Sequence, residues 1–123
     1  MPIYNAPTKD MQFLLHDVLK VSEQDIPGYD ELDPAFTSAV LDEAGTLAAE
    51  VLQPLNEVGD REGCTLEHGV VRAPTGCKAH LDRMREGGWP GRDSDPASGG
   101  TQLPPLPAPD HGTALAAAPL PCE

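Results

Sequence analysis

The sequence predicts a mainly α-helical fold with one small β-hairpin and a disordered, proline-rich tail. Three observations predict it. Apolar residues recur every three or four positions in two stretches before residue 60, as on one face of a helix. Between residues 64 and 74 that period breaks, and two short apolar pairs flank a glycine turn. After Trp89 neither period survives, and eight of the 14 prolines fall in residues 90–123. At 123 residues the chain is long enough for one small domain.

Residues 1–8 are held extended by Pro2 and Pro7, each of which disfavours helix at the residue before it. A short helix is expected next, over about 9–20. There Met11, Leu14, Leu15, Val18 and Leu19 share one apolar face, His16 and Asp17 lie on the other, and Thr8 or Asp10 can cap the start. Pro27-Gly28 marks a loop. Residues 1–32 thus form an arm with a short helix.

The strongest element begins at Asp33, a favoured N-cap, with Pro34 standing where a missing N–H costs nothing. Phe36, Val40, Ala44, Leu47, Val51, Leu55 and Val58 then form one stripe, flanked by Leu41, Ala48 and Leu52, while Asp42, Glu43, Glu50 and Glu57 take the polar face. The helix is expected over about 34–58. The stripe needs a greasy surface to lie on, and so short a chain is not expected to supply one. Pro54 removes a backbone donor and crowds the carbonyl of Glu50, which costs about 3 kcal/mol in a straight helix and predicts a kink. Gly59 is the expected stop.

Thr65-Leu66 and Val70-Val71, either side of Glu67-His68-Gly69, predict a hairpin with Gly69 in its turn. A last helix is expected from Thr75 as cap, with Leu81 and Met84 as its apolar contacts and Gly87-Gly88 as its end. Residues 33–89 therefore hold the long helix, hairpin and short helix. Residues 90–123 read as disordered or as an out-of-frame continuation, and Pro104 and Pro107 make a PxxP pattern that arises easily in such sequence.

Composition excludes several functions. Residues 1–63 carry 13 Asp and Glu against Lys9, Lys20 and Arg61, a surface that repels a nucleic-acid duplex. The N-terminus lacks a basic, then apolar, secretory signal, and no apolar run approaches the roughly 18 residues of a membrane span. Three cysteines, an odd number, argue against a disulfide framework and for a reduced, cytoplasmic setting. Cys64 with His68 and Cys77 with His80 could supply zinc ligands, yet they lack paired CxxC knuckles, so no metal site is expected. His16-Asp17 has no nucleophile placed beside it, and neither Gly87-Gly88 nor Gly99-Gly100 forms a phosphate-cradling loop. No catalytic residue can be assigned from spacing.

Several separated blocks nevertheless occur in a known order. Tyr4-Asn5-Ala6-Pro7-Thr8-Lys9-Asp10-Met11, Pro54-Leu55-Asn56, Gly59-Asp60, Gly63, Thr65-Leu66 and Gly87-Gly88-Trp89 resemble the N-terminal region of acyl-CoA dehydrogenases. Within that family they are most similar to the branch that includes 3-methylmercaptopropionyl-CoA dehydrogenase. The resemblance covers residues 1 to about 104, with Asp95-Pro96 and Gly99-Gly100 in its last block. It implies FAD as cofactor in the full-length family, an acyl-CoA substrate, and assembly as dimers or tetramers. It also implies α,β-dehydrogenation of the thioester by a carboxylate base and the flavin N5. The flavin contacts and base belong to regions with no counterpart here, so no cofactor-binding residue is assigned. The implied function is a truncated N-terminal part, inactive alone and binding no flavin. The alternative is a small helical interaction module docking through the stripe of residues 36–58.

Overall fold

Asp33 opens the longest helical path in the manner its side chain dictates. In the computed structural model, which describes residues 3–92, 94–100 and 102, its carboxylate accepts the Phe36 backbone N–H at 2.7 Å and Pro34 sits in the first turn. Helix α1 (Thr8–Gln12) precedes it and runs into a π-helical segment, Phe13–Val18. Helix α2 (Pro34–Leu47) passes through a second π segment, Ala48–Leu52, into α3 (Gln53–Glu62). The hairpin strands β1 (Thr65–Glu67) and β2 (Val70–Arg72) and helix α4 (Cys77–Glu86) come after. Among the described residues the fold is mainly helical with one two-stranded antiparallel sheet, in line with the expected class.

The two wide turns explain where the observed helices depart from ideal periodicity. In a π turn each N–H reaches back five residues instead of four, which adds a residue to the turn and rotates the downstream part of the helix. The Leu19 N–H bonds the Leu14 carbonyl at 2.9 Å in this way. Met11 and Leu15 consequently point into the core, but Leu14, Val18 and Leu19, expected on the same face, stay about half exposed. The second π segment answers the problem of Pro54. The Gln53 N–H bonds the Ala48 carbonyl, so the α-ladder restarts at residue 53 and Pro54 falls in the first turn of α3. The π turn takes the ladder out of the i→i−4 register just before Pro54, and that accommodates its ring and its missing N–H. The helix then continues past the expected stop. Gly59 is helical, and Gly63, with φ of 60°, ends it at Glu62.

The core forms where the N-terminal arm crosses α2. Met11, Leu15, Val21, Tyr29 and Leu32 meet Leu41, Ala44, Ala48 and Leu52, and Trp89 closes the cluster. This corrects the expected stripe. Val40 and Ala44 are buried, but Phe36 is 41% exposed, and the residues read as flanks, Leu41, Ala48 and Leu52, form the centre of the ridge. Small side chains decide this. Ala44 and Ala48 leave room for close approach, and a Cβ added at Gly45 would lie 3.0 Å from the Ala6 side chain. The chain thus covers much of its own long helix, contrary to the expectation that it could not.

The hairpin forms where expected, and its register sets Thr65 opposite Arg72, Leu66 opposite Val71 and Glu67 opposite Val70. His68 and Gly69, at φ 51° and 78°, supply the two positive φ angles that a two-residue hairpin turn requires. At α4 the expected cap is replaced. The Thr75 N–H donates to the Glu62 carboxylate at 2.7 Å, and Gly76 (φ 94°) is the N-cap residue. Cys77 and His80 take the buried face, while Leu81, expected to pack, is 46% exposed. The chain stops the helix at Gly87-Gly88 as expected, with Gly88 at φ 67°. Beyond it, turns at Trp89–Gly91 and Pro96–Ser98 continue into the region expected to be a tail, with the Gly100 N–H on the Asp95 carbonyl and the Gln102 N–H on that of Ser94. The Pro104–Pro107 pattern and the rest of the expected tail from 103 lie outside the described residues. No helix among the described residues is long and apolar enough to cross a membrane.

Candidate functional site

Three features could carry function: a polar cleft, a clamp on Trp89, and a set of uncovered apolar side chains. The cleft lies where α1 and the first π segment meet the start of α2. It is open, about 560 Å³, with Lys9, Phe13, His16, Asp17 and Ser38 among its walls. At its inner edge Thr37, 1% exposed, lies 2.7 Å from His16 Nε2, 3.1 Å from Gln12 Oε1 and 3.1 Å from the Asp33 carbonyl. A hydroxyl has one proton to give. The pattern that satisfies most atoms has His16 Nε2–H donating to Thr37 and Thr37 donating onward to Gln12. His16 was expected on the side away from the core, and the π turn is what brings it onto α2. The network joins the arm to α2 and, in this pattern, ends on Gln12 Oε1. Thr37, the hydroxyl that meets His16, is 1% exposed, so the contact positions the arm.

Trp89 is buried against Gly87, where an added Cβ would lie 2.6 Å from its ring. The Arg92 guanidinium stacks 3.9 Å from the ring centroid and pairs with the Glu43 carboxylate at 3.1 Å. This clamp fastens the turn after α4 to the polar side of α2. A partly desolvated cation–π contact is worth about 0.5–2 kcal/mol.

The residues considered for metal do not assemble. Cys64 is exposed with a free thiol, and His68 is exposed in the hairpin turn. Cys77 is buried on the inner face of α4. Among the described residues no three His, Cys, Asp or Glu side chains converge. His80 is 6% exposed with Nδ1 buried and without a partner, and burial pushes its imidazole below the usual range. Elsewhere the Thr75 backbone bond holds the Glu62 carboxyl low, and the Lys78 ammonium at 2.8 Å does the same for Asp82. Gly99 takes φ 83°, and Gly100 packs so closely on the Ser94 backbone that no Cβ fits.

The third feature is an apolar surface that the other described residues leave uncovered. Leu66 and Val71 are cross-strand partners and so share one face of the hairpin, at 71% and 66% exposure; Val70 is 61% exposed. A two-stranded hairpin is marginal unless something packs on it. Phe13, Leu14 and Val18 of the first π segment are each more than half exposed as well. Scattered exposed apolar residues are normal, but an uncovered sheet face is the mark of a contact surface.

Sequence reasoning missed Thr37, Gln12 and Arg92. A threonine near a helix start reads as ordinary, and only the crossing of the arm over α2 makes it central.

No protein-family model matches the chain. Over 102 residues, 82% of the chain, it is 31% identical to the 3-methylmercaptopropionyl-CoA dehydrogenase of Ruegeria pomeroyi (strain ATCC 700808 / DSM 15171 / DSS-3). The chain spans 17% of that relative's length. A mainly helical segment with one small hairpin, as seen among the described residues, accords with the match, and the chain is similar to a segment of an acyl-CoA dehydrogenase.

Proposed function

We propose that this chain is the N-terminal helical segment of an FAD-dependent acyl-CoA dehydrogenase, contributing structure to the enzyme and not the redox chemistry. The uncovered hairpin face of Leu66 and Val71 carries the reading, because a surface of this kind needs cover that the described residues do not give it. The coverage of only 17% of the R. pomeroyi enzyme supports it, since most of such a protein has no counterpart here. In the complete enzyme the family reaction would be removal of two hydrogens across the α and β carbons of an acyl-CoA thioester, with FAD as acceptor. The His16–Thr37–Gln12 network would hold the arm against α2, and the Arg92–Trp89–Glu43 clamp would fix the turn after α4.

The alternative, a stand-alone module docking through residues 36–58, would have to use Phe36, Leu47, Val51, Leu55 and Val58. Val40 and Ala44 of that stripe are already inside.

A chimera tests the proposal. Residues 3–102 replace the matched segment of the R. pomeroyi dehydrogenase, and flavin content and thioester oxidation are measured. A folded chimera that retains flavin supports the proposal. A folded chimera whose flavin site is lost, beside a parent enzyme that keeps it, counts against it.

A further inference from the structure

We draw no further inference here: the strongest candidate, the uncovered apolar face of the β1–β2 hairpin formed by Leu66 and Val71, belongs to the surface already invoked for the proposed function, and nothing in the structure shows what else covers it.

Discussion

Replacing Pro54 by alanine separates two accounts of the long helix. If α2 and α3 were one straight α-helix, Pro54 would remove the bond to the Glu50 carbonyl and press its ring on that group, at a cost of about 3 kcal/mol. Alanine would restore all of it. In the structure the π turn over Ala48–Leu52 takes the ladder out of the i→i−4 register just before Pro54, which stands in the first turn of α3, so the mismatch is already absorbed. The expected gain is therefore under about 1 kcal/mol, since alanine and proline are close to equivalent at such a site. Urea unfolding monitored by far-UV circular dichroism reads the difference. With a slope of about 1–3 kcal/mol/M for a small protein, the midpoint should move by less than about 1 M at unchanged slope. A gain near 3 kcal/mol would refute the π-turn account, because it would mean that a strained α-ladder runs through residue 54.

Other substitutions probe the core, a cap, a glycine and a buried histidine. Leu52→Ala empties a fully buried site at the joint of α2 and α3, and denaturant unfolding should show a loss of about 2–5 kcal/mol. Asp33→Ala removes the acceptor of the Phe36 N–H and should cost about 0.5–2 kcal/mol in the same assay. Gly76→Ala places a Cβ 2.5 Å from Leu55 Cδ2 at φ 94°, so its melting temperature should fall, whereas a mere gain of helix propensity would raise it. His80 has its pKa lowered by burial, so between its folded value and the ordinary 6.5 the unfolded chain binds more protons. Stability should be complete above about pH 6.5 and decline as pH falls from there through the folded value. His80→Gln should remove that decline, and an unchanged slope in the variant would assign the titration to another group.

Local chemistry was legible wherever a single residue dictates a backbone state. The Asp33-Pro34 start, the Gly69 turn and the Gly87-Gly88 stop all derive from side-chain acceptors or tolerated φ angles. Pro54 announced a disturbance, but periodicity could not say that the helix would widen instead of kink. Widening adds a residue to a turn, and every face assigned downstream of it shifts. That is why Leu14 and Val18 are exposed, and why His16 reaches Thr37. The stripe on α2 was misplaced for another reason. Apolarity alone favoured Phe36 over Thr37, while close packing of the arm favoured the narrow ridge of Thr37, Leu41, Ala44 and Ala48. Gly59 looked like a stop because glycine is a poor helix former, yet Gly63 is the residue that leaves the helical region of φ. The exposed hairpin face was invisible for lack of a motif. It shows only as large side chains that the described residues leave exposed.

Flavin bound per chain, read from the visible absorbance of purified protein after incubation with FAD and dialysis, tests the central claim most directly. A chain that supplies only the N-terminal helical segment remains colourless. Stoichiometric yellow protein, with one flavin held per polypeptide, would contradict the assignment, because these residues would then form a cofactor site on their own.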